Sequence, residues 1–365
     1  MRSEVVVIGG GATGTCIARD ISRRGFKTTL IERGIISGGT TNASHHNLVG
    51  GLRYVIKDPE VASECASENM IIEKIAPSLV GKTKNYFVGF ESDYTREAIR
   101  KAGELGVQYR EVDPSEAKKE IPELNSEINV VYETNDRNLD VKKFCWANCK
   151  MTTDYGGTVL ENTRISKIVN DRDEYLISLD NDTSVTTPCV VNATGPWVNS
   201  IANFVGVKLP LVYNMGTIIV QKTLSPRGLQ HFHKPSNADA YIVHGDHAWI
   251  GTTSTTIDSP EDIKPEVDAE DFIKSKFSII VPKVQQMPTV SSFSGIRPLY
   301  TSKIAEDARD ISRDFKIAEE PPGFYHIIGG KLTTSRLMAE KICDLIAKEF
   351  GSNAACRTKD EVMDL

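Results

Sequence analysis

No stretch of this 365-residue chain approaches the roughly 20 consecutive apolar residues that a membrane-spanning helix needs. A secretory leader is not expected either: after Met1-Arg2-Ser3-Glu4, the apolar run Val5-Val6-Val7-Ile8 is short and leads straight into glycines. The cytoplasm is therefore the expected compartment. C-x-x-C pairs are absent. The seven cysteines, at 16, 65, 145, 149, 189, 343 and 356, are odd in number, and although Cys145 and Cys149 are spaced to share a helix face, no second pair completes a zinc site. No metal is expected, and buried free thiols are. Positive charge is not in excess either: 43 Lys and Arg against 49 Asp and Glu leave a net charge of −6. That argues against a general nucleic-acid binder. Internal repeats and low-complexity tracts are also lacking. What remains is 40% hydrophobic and 25% charged, enough for a sizeable core, and at about 150 residues per domain the length suggests about two domains.

The chain opens on a βαβ pattern. Residues 5–8 form a continuous apolar run, as in a strand buried on both faces. A turn at 9–14, a helix over 12–24 with Ile17 and Ile21 four apart, a closing Gly25 and a strand over 27–31 follow. A loop rich in Gly, Thr, Ser, Asn and His spans 36–51. Helices are expected over 58–79, 95–105, 113–120, 141–155 and 269–277, and strands over 86–90, 158–160, 165–169, 175–179, 189–192 and 324–328. A last helix is expected over 331–350, its positive end starting at Leu332. The fold class is α/β (α+β): a Rossmann-like domain with an inserted mixed or antiparallel β-sheet domain. Its expected boundaries are 1–76, 140–206 and 322–365 for the first unit, and 77–139 and 207–321 for the second.

Gly9-Gly10-Gly11-Ala12-Thr13-Gly14 satisfies G-x-G-x-x-G between a strand and a helix. In that setting Gly9 permits the tight turn, Gly11 lets backbone approach a pyrophosphate, and Gly14 lets helix and strand pack closely. The helix N-terminus then offers free N–H groups to the phosphates. Glu32 ends the second strand, 23 residues after Gly9, where a carboxylate accepts from ribose hydroxyls and disfavours a 2′-phosphate. The motif alone does not separate FAD from NAD. Two later features lean to FAD: the strand ending Asn192-Ala193-Thr194-Gly195, whose small residues admit a flat ring, and the junction Gly329-Gly330-Lys331.

These residues make a wider resemblance visible. The chain resembles the FAD-dependent glycerol-3-phosphate dehydrogenases of the D-amino-acid-oxidase-like flavoprotein superfamily, above all the catalytic A subunits of the anaerobic, quinone-linked type. The likeness rests on Gly50-Gly51-Leu52-Arg53-Tyr54, Ala66-Ser67-Glu68-Asn69, Lys234-Pro235-Ser236-Asn237-Ala238-Asp239, Gly251-Thr252-Thr253-Ser254, Ser294-Gly295-Ile296-Arg297-Pro298-Leu299 and Gly329-Gly330-Lys331-Leu332-Thr333-Thr334-Ser335-Arg336. It implies a non-covalent FAD contacted by Gly9, Gly11, Gly14, Glu32, Arg33, Thr40, Thr41, Ala193, Gly195, Gly330, Lys331, Leu332 and Thr333. It also implies oxidation of sn-glycerol 3-phosphate to dihydroxyacetone phosphate, with Arg53, Arg297 and Lys331 at substrate-contacting positions. Cationic forks of that kind suit a phosphate dianion.

Departures from the family pattern keep alternatives open. Val49 stands where relatives usually carry a histidine, and valine cannot titrate. His45 and His46 are the nearest replacements for the base, with Tyr54 and Lys331 behind them, and His233, His244 and His247 lie further along. Ser335 replaces the usual tyrosine. Relatives also continue for about a hundred residues more, so the electron exit is expected to be a quinone or a partner protein. Peripheral membrane association stays open. The competing readings are a superfamily enzyme for another small anion, such as 2-hydroxyglutarate or an amine acid, and a non-catalytic flavin-binding protein.

Overall fold

A computed structural model describes residues 1–232, 238–301, 308 and 311–363. His233 and the motif residues 234–237 lie outside the described residues.

The opening βαβ pattern forms the centre of a six-stranded sheet. Its order is Phe315–Glu319, Phe324–Gly329, Cys189–Asn192, Val5–Ile8, Thr28–Ile31 and Thr158–Leu160. All neighbours run parallel except the first pair. The alternation of side chains along Val5–Ile8 explains why the run is apolar throughout. Val5 and Val7 pack under the helices Ala12–Arg23, Val141–Asp154 and Ser335–Glu349, while Val6 and Ile8 pack against a three-stranded antiparallel sheet through Ile177 and Val185. Six of the seven cysteines are buried free thiols, and no cluster of metal-ligating side chains occurs among the described residues.

A nine-stranded sheet is drawn from 86–134 and 211–300. Its spine is the antiparallel pair Leu211–Lys222 and Ser291–Tyr300, registered so that Asn214 faces Arg297. The helix Ala269–Phe277 covers one face with Ile273 and Phe277. The strand Phe315–Glu319, expected in the second unit, instead hydrogen-bonds to the edge of the six-stranded sheet.

Two helix ends differ from expectation by four residues each. The helix beginning at Pro59 stops at Ile75 rather than 79, because Pro77 drives Ala76 out of the helical region. The last helix begins at Ser335 rather than 331. Gly329 and Gly330 take φ of 80° and 75°, and the Thr334 hydroxyl accepts from the Lys331 N–H at 3.2 Å, turning 331–334 into a separate bend. No helix among the described residues is long and apolar enough to cross a membrane.

Candidate active site

The carboxyl ends of the parallel strands at Ile8, Asn192 and Gly329 converge on one edge, where ligands bind in open α/β sheets. A cavity of about 1660 Å3 starts there and runs to the nine-stranded sheet. Pockets for drug-sized ligands hold roughly 300–1,000 Å3, so this one has room for a dinucleotide and a small substrate end to end.

At one end stands the glycine turn. Gly9 has a φ of 110°, and a Cβ on it would sit 2.6 Å from the Ala193 carbonyl oxygen. A Cβ on Gly14 would collide with the Gly9 carbonyl. The Ala12 N–H, at the start of the helix, donates to Thr41 Oγ1 at 3.0 Å, and Gly11 and Thr13 line the cavity beside it. Glu32 accepts the Gly10 N–H at 2.6 Å and the Gly34 N–H at 2.8 Å, which holds its carboxylate on the cavity wall. Arg33 lies over the Trp197 ring at 4.1 Å, and the indole N–H donates to Glu261 at 2.7 Å. Thr40 Oγ1 donates to the Ile296 carbonyl, tying this end to the second sheet.

Toward the other end Arg53, Arg297, Arg313 and Lys331 line the cavity. Among the described residues Arg297 is held by neutral acceptors: Asn214 Oδ1 at 2.6 Å, the Thr252 hydroxyl and the Thr253 carbonyl at 3.5 Å. Burial, with Arg313 and Arg53 nearby, pulls its guanidinium down to about 9. Arg53 pairs with the buried Asp239 at 2.6 Å. Lys331 Nζ donates to the Arg313 carbonyl at 2.8 Å and sits 4.5 Å from the centre of the Tyr54 ring. Burial brings its ammonium down to about 8 and raises the Tyr54 phenol to about 12. Thr333 Oγ1 accepts the Val49 N–H at 2.9 Å, joining the 330s bend to the loop that carries Arg53.

The two adjacent histidines separate. His45 lines the cavity, but its Nε2 is sealed from solvent with no hydrogen-bond partner among the described residues. Burial, helped by Arg53, His244 and Arg297, pushes its pKa well below the usual value. His46 does not line the cavity. It takes a φ of 53°, packs its ring on Trp249 and His244, and reaches the Asn42 carbonyl at 2.9 Å. The expectation that His46 stands at the chemistry is therefore corrected: its ring is part of an aromatic stack behind the loop.

Residues 4–345 match the family described as FAD dependent oxidoreductase. The chain belongs to that family. It is 31% identical over 384 residues to the A1 component of the anaerobic glycerol-3-phosphate dehydrogenase of Haloferax volcanii, covering 98% of this chain and 66% of the relative. It is 31% identical over 375 residues to the A component of the corresponding Escherichia coli K12 enzyme, covering 98% and 69%. The chain thus spans about two thirds of the length of these curated relatives. Its fold matches an FAD-bound L-alpha-glycerophosphate oxidase from Mycoplasma pneumoniae, with a TM-score of 0.80, 15% identity and full coverage of both chains.

FAD is the cofactor of this oxidoreductase, and the residues present fit it. The turn and helix start at Gly9–Thr13 would hold the pyrophosphate, Glu32 the ribose, and the small residues Ala193, Gly195 and Gly330 would leave space for a flat ring system. Thr41 and Thr333 are engaged with backbone N–H groups, so they shape the walls through those bonds. Sequence reasoning missed Arg313, Asp136 and Gln230. Each comes from a segment remote from the motifs, and only the fold brings them in.

Proposed function

We propose that this chain oxidises sn-glycerol 3-phosphate to dihydroxyacetone phosphate. The carrying observation is Arg297, a half-buried guanidinium whose hydrogen-bond acceptors among the described residues are all neutral, in a cavity it shares with Arg53, Arg313 and Lys331. Arginines clustered at one end of the cavity suit a phosphate dianion. The glycerol-3-phosphate dehydrogenases among the relatives support the same substrate. Arg297 and Arg53, with Arg313, grip the phosphate. FAD, when held by the Gly9–Thr13 turn and Glu32, would supply the electron sink for the C2 hydride. The hydroxyl proton passes to a side chain of the wall. The segments 1–76, 140–206 and 322–365, joined by Phe315–Glu319, carry the cofactor in this reading, and 77–139 with most of 207–321 the substrate. Electrons leave to a quinone or a partner protein, from a cytoplasmic protein that is free or docked at the inner membrane face.

The test is anaerobic mixing of the FAD-loaded protein with glycerol 3-phosphate. Rapid bleaching of the flavin's visible band is expected. Bleaching by 2-hydroxyglutarate or an amine acid, and not by glycerol 3-phosphate, would overturn the reading.

A pH profile identifies the proton acceptor. An acceptor must be unprotonated, so the bleaching rate rises with pH through its pKa. Lys331, already brought down to about 8 by burial, faces the cavity, whereas His45 Nε2 is sealed off. We expect a limb near or above pH 8 that disappears in Lys331→Met. A limb that survives in Lys331→Met and vanishes in His45→Asn would transfer the role to His45.

A further inference from the structure

Asp136 is 1% exposed, yet its carboxylate makes four hydrogen bonds. Oδ1 accepts the Gly50 N–H at 2.7 Å and the Thr134 hydroxyl at 3.2 Å. Oδ2 accepts Gln230 Nε2–H at 2.7 Å and Asn47 Nδ2–H at 3.2 Å. Burial raises its pKa above the ordinary carboxylate value, and the four donors oppose that rise. Three N–H donors and one hydroxyl converge on its two oxygens, which favours the carboxylate form. The consequence falls on Gln230. A side-chain amide has one donor end and one acceptor end, and its donor end must face Asp136. Its Oε1 is thereby turned the other way, and Gln230 lines the cavity.

The position of Gln230 is equally defined. It pairs across the sheet with Ala240, next to Asp239, whose carboxylate holds Arg53. The N–H of the following residue, His231, donates to the Asp239 carbonyl at 2.9 Å. Asp136 meanwhile anchors Gly50, three residues before Arg53. The amide therefore stands at the cationic end of the cavity, away from the glycine turn. Asn47, the other amide on Asp136, has its oxygen occupied by Asn85 Nδ2–H at 3.2 Å, so it offers no equivalent acceptor.

We propose that Gln230 is a specificity-determining residue whose amide oxygen, oriented by Asp136, accepts a hydrogen bond from the substrate hydroxyl that is not oxidised. The inference rests on the reading of the substrate as glycerol 3-phosphate and deepens it. The cations select the phosphate, and Gln230 selects a polyol chain over a deoxy one. A site built to bond a hydroxyl discriminates strongly against the analogue lacking it, because the site's polar atom is then left unpaired.

The experiment compares glycerol 3-phosphate with 2-hydroxypropyl phosphate, which keeps the phosphate and the reacting alcohol and lacks the terminal hydroxyl. Flavin bleaching in the FAD-loaded wild type should favour glycerol 3-phosphate by roughly 10- to 100-fold in kcat/KM. In Gln230→Leu the preference should fall to within about threefold, through loss of activity on glycerol 3-phosphate alone. FAD content and inhibition by inorganic phosphate should not change, which separates lost recognition from a damaged fold. Gln230→Glu keeps an acceptor toward the cavity and, sharing one proton with Asp136, should retain the preference, which guards against a packing effect of leucine. A wild type without preference, or a Gln230→Leu variant that retains it, overturns the proposal while the substrate reading stands. A wild type bleached by neither ester overturns both.

Discussion

Arg297→Ala should raise the KM for glycerol 3-phosphate by roughly thirty-fold to several-thousand-fold, the equivalent of losing about 2–5 kcal/mol from a charged contact that the bound ligand closes off from water. The argument begins with how the guanidinium is held. It lies across Gly216 of the facing strand, where a Cβ would collide with its terminal nitrogen, and it bonds to Asn214 and to the Thr252–Thr253 segment. Those contacts orient the fork without neutralising it. Its charge is left for the ligand, and a ligand phosphate would lose that partner in the alanine variant. The phosphate sits away from the C2 centre, so kcat should change far less than KM. Arg297→Lys should fall between, because an ammonium keeps the charge and loses the paired geometry. Gly216→Ala offers a separate check, since it displaces the same guanidinium without deleting it and should also raise KM. Steady-state and single-turnover bleaching measure both constants. An unchanged KM in Arg297→Ala would remove this residue from the phosphate site.

The parts of the structure that could be read from the sequence are those where one physical constraint acts locally. A strand buried on both faces has to be apolar at every position, and Val5–Ile8 is. A glycine forced by a close carbonyl leaves its mark at once, as at Gly9 and Gly14. The start of the last helix was not legible, because Gly330 and the Thr334 hydroxyl create a bend whose bonding depends on side-chain geometry. His45 and His46 were indistinguishable for a similar reason. They are adjacent polar residues in an irregular loop, and the ring that turns inward is decided by Trp249 and His244, some two hundred residues away. Asp136 and Gln230 carry no motif of their own. Their bond spans 94 residues of chain. The family-like stretches also mix two kinds of residue: Arg53 and Arg297 line the cavity, whereas Glu68, Asn69 and Arg336 are buried structural members.

Arg336→Met should therefore cost stability before it costs chemistry, by about 3–5 kcal/mol. Arg336 Nε and its terminal nitrogen meet the Glu68 carboxylate at 2.8 Å and 2.5 Å, with both side chains 3% exposed or less. The same guanidinium reaches Glu340 at 2.6 Å and the Thr358 hydroxyl at 3.3 Å. Removing it strands a carboxylate in the interior between the helices Pro59–Ile75 and Ser335–Glu349. A loss of this size is a large fraction of the roughly 5–15 kcal/mol that holds a typical domain together. Both charges are held out of water, a cost that their attraction has to offset. It follows that Glu68→Met combined with Arg336→Met should recover most of the lost stability, as apolar replacements of buried ion pairs often do. Urea unfolding of the FAD-loaded protein measures all three variants. The pair also lies just beyond the two segments that meet at the site: Arg336 follows the bend whose Thr333 holds Val49, and Glu68 sits on the helix after the Arg53 turn. The single variant should accordingly release FAD faster than wild type, and the double variant should not. If the double variant proves less stable than Arg336→Met, the charged pair is a net source of stability and the argument from desolvation is wrong.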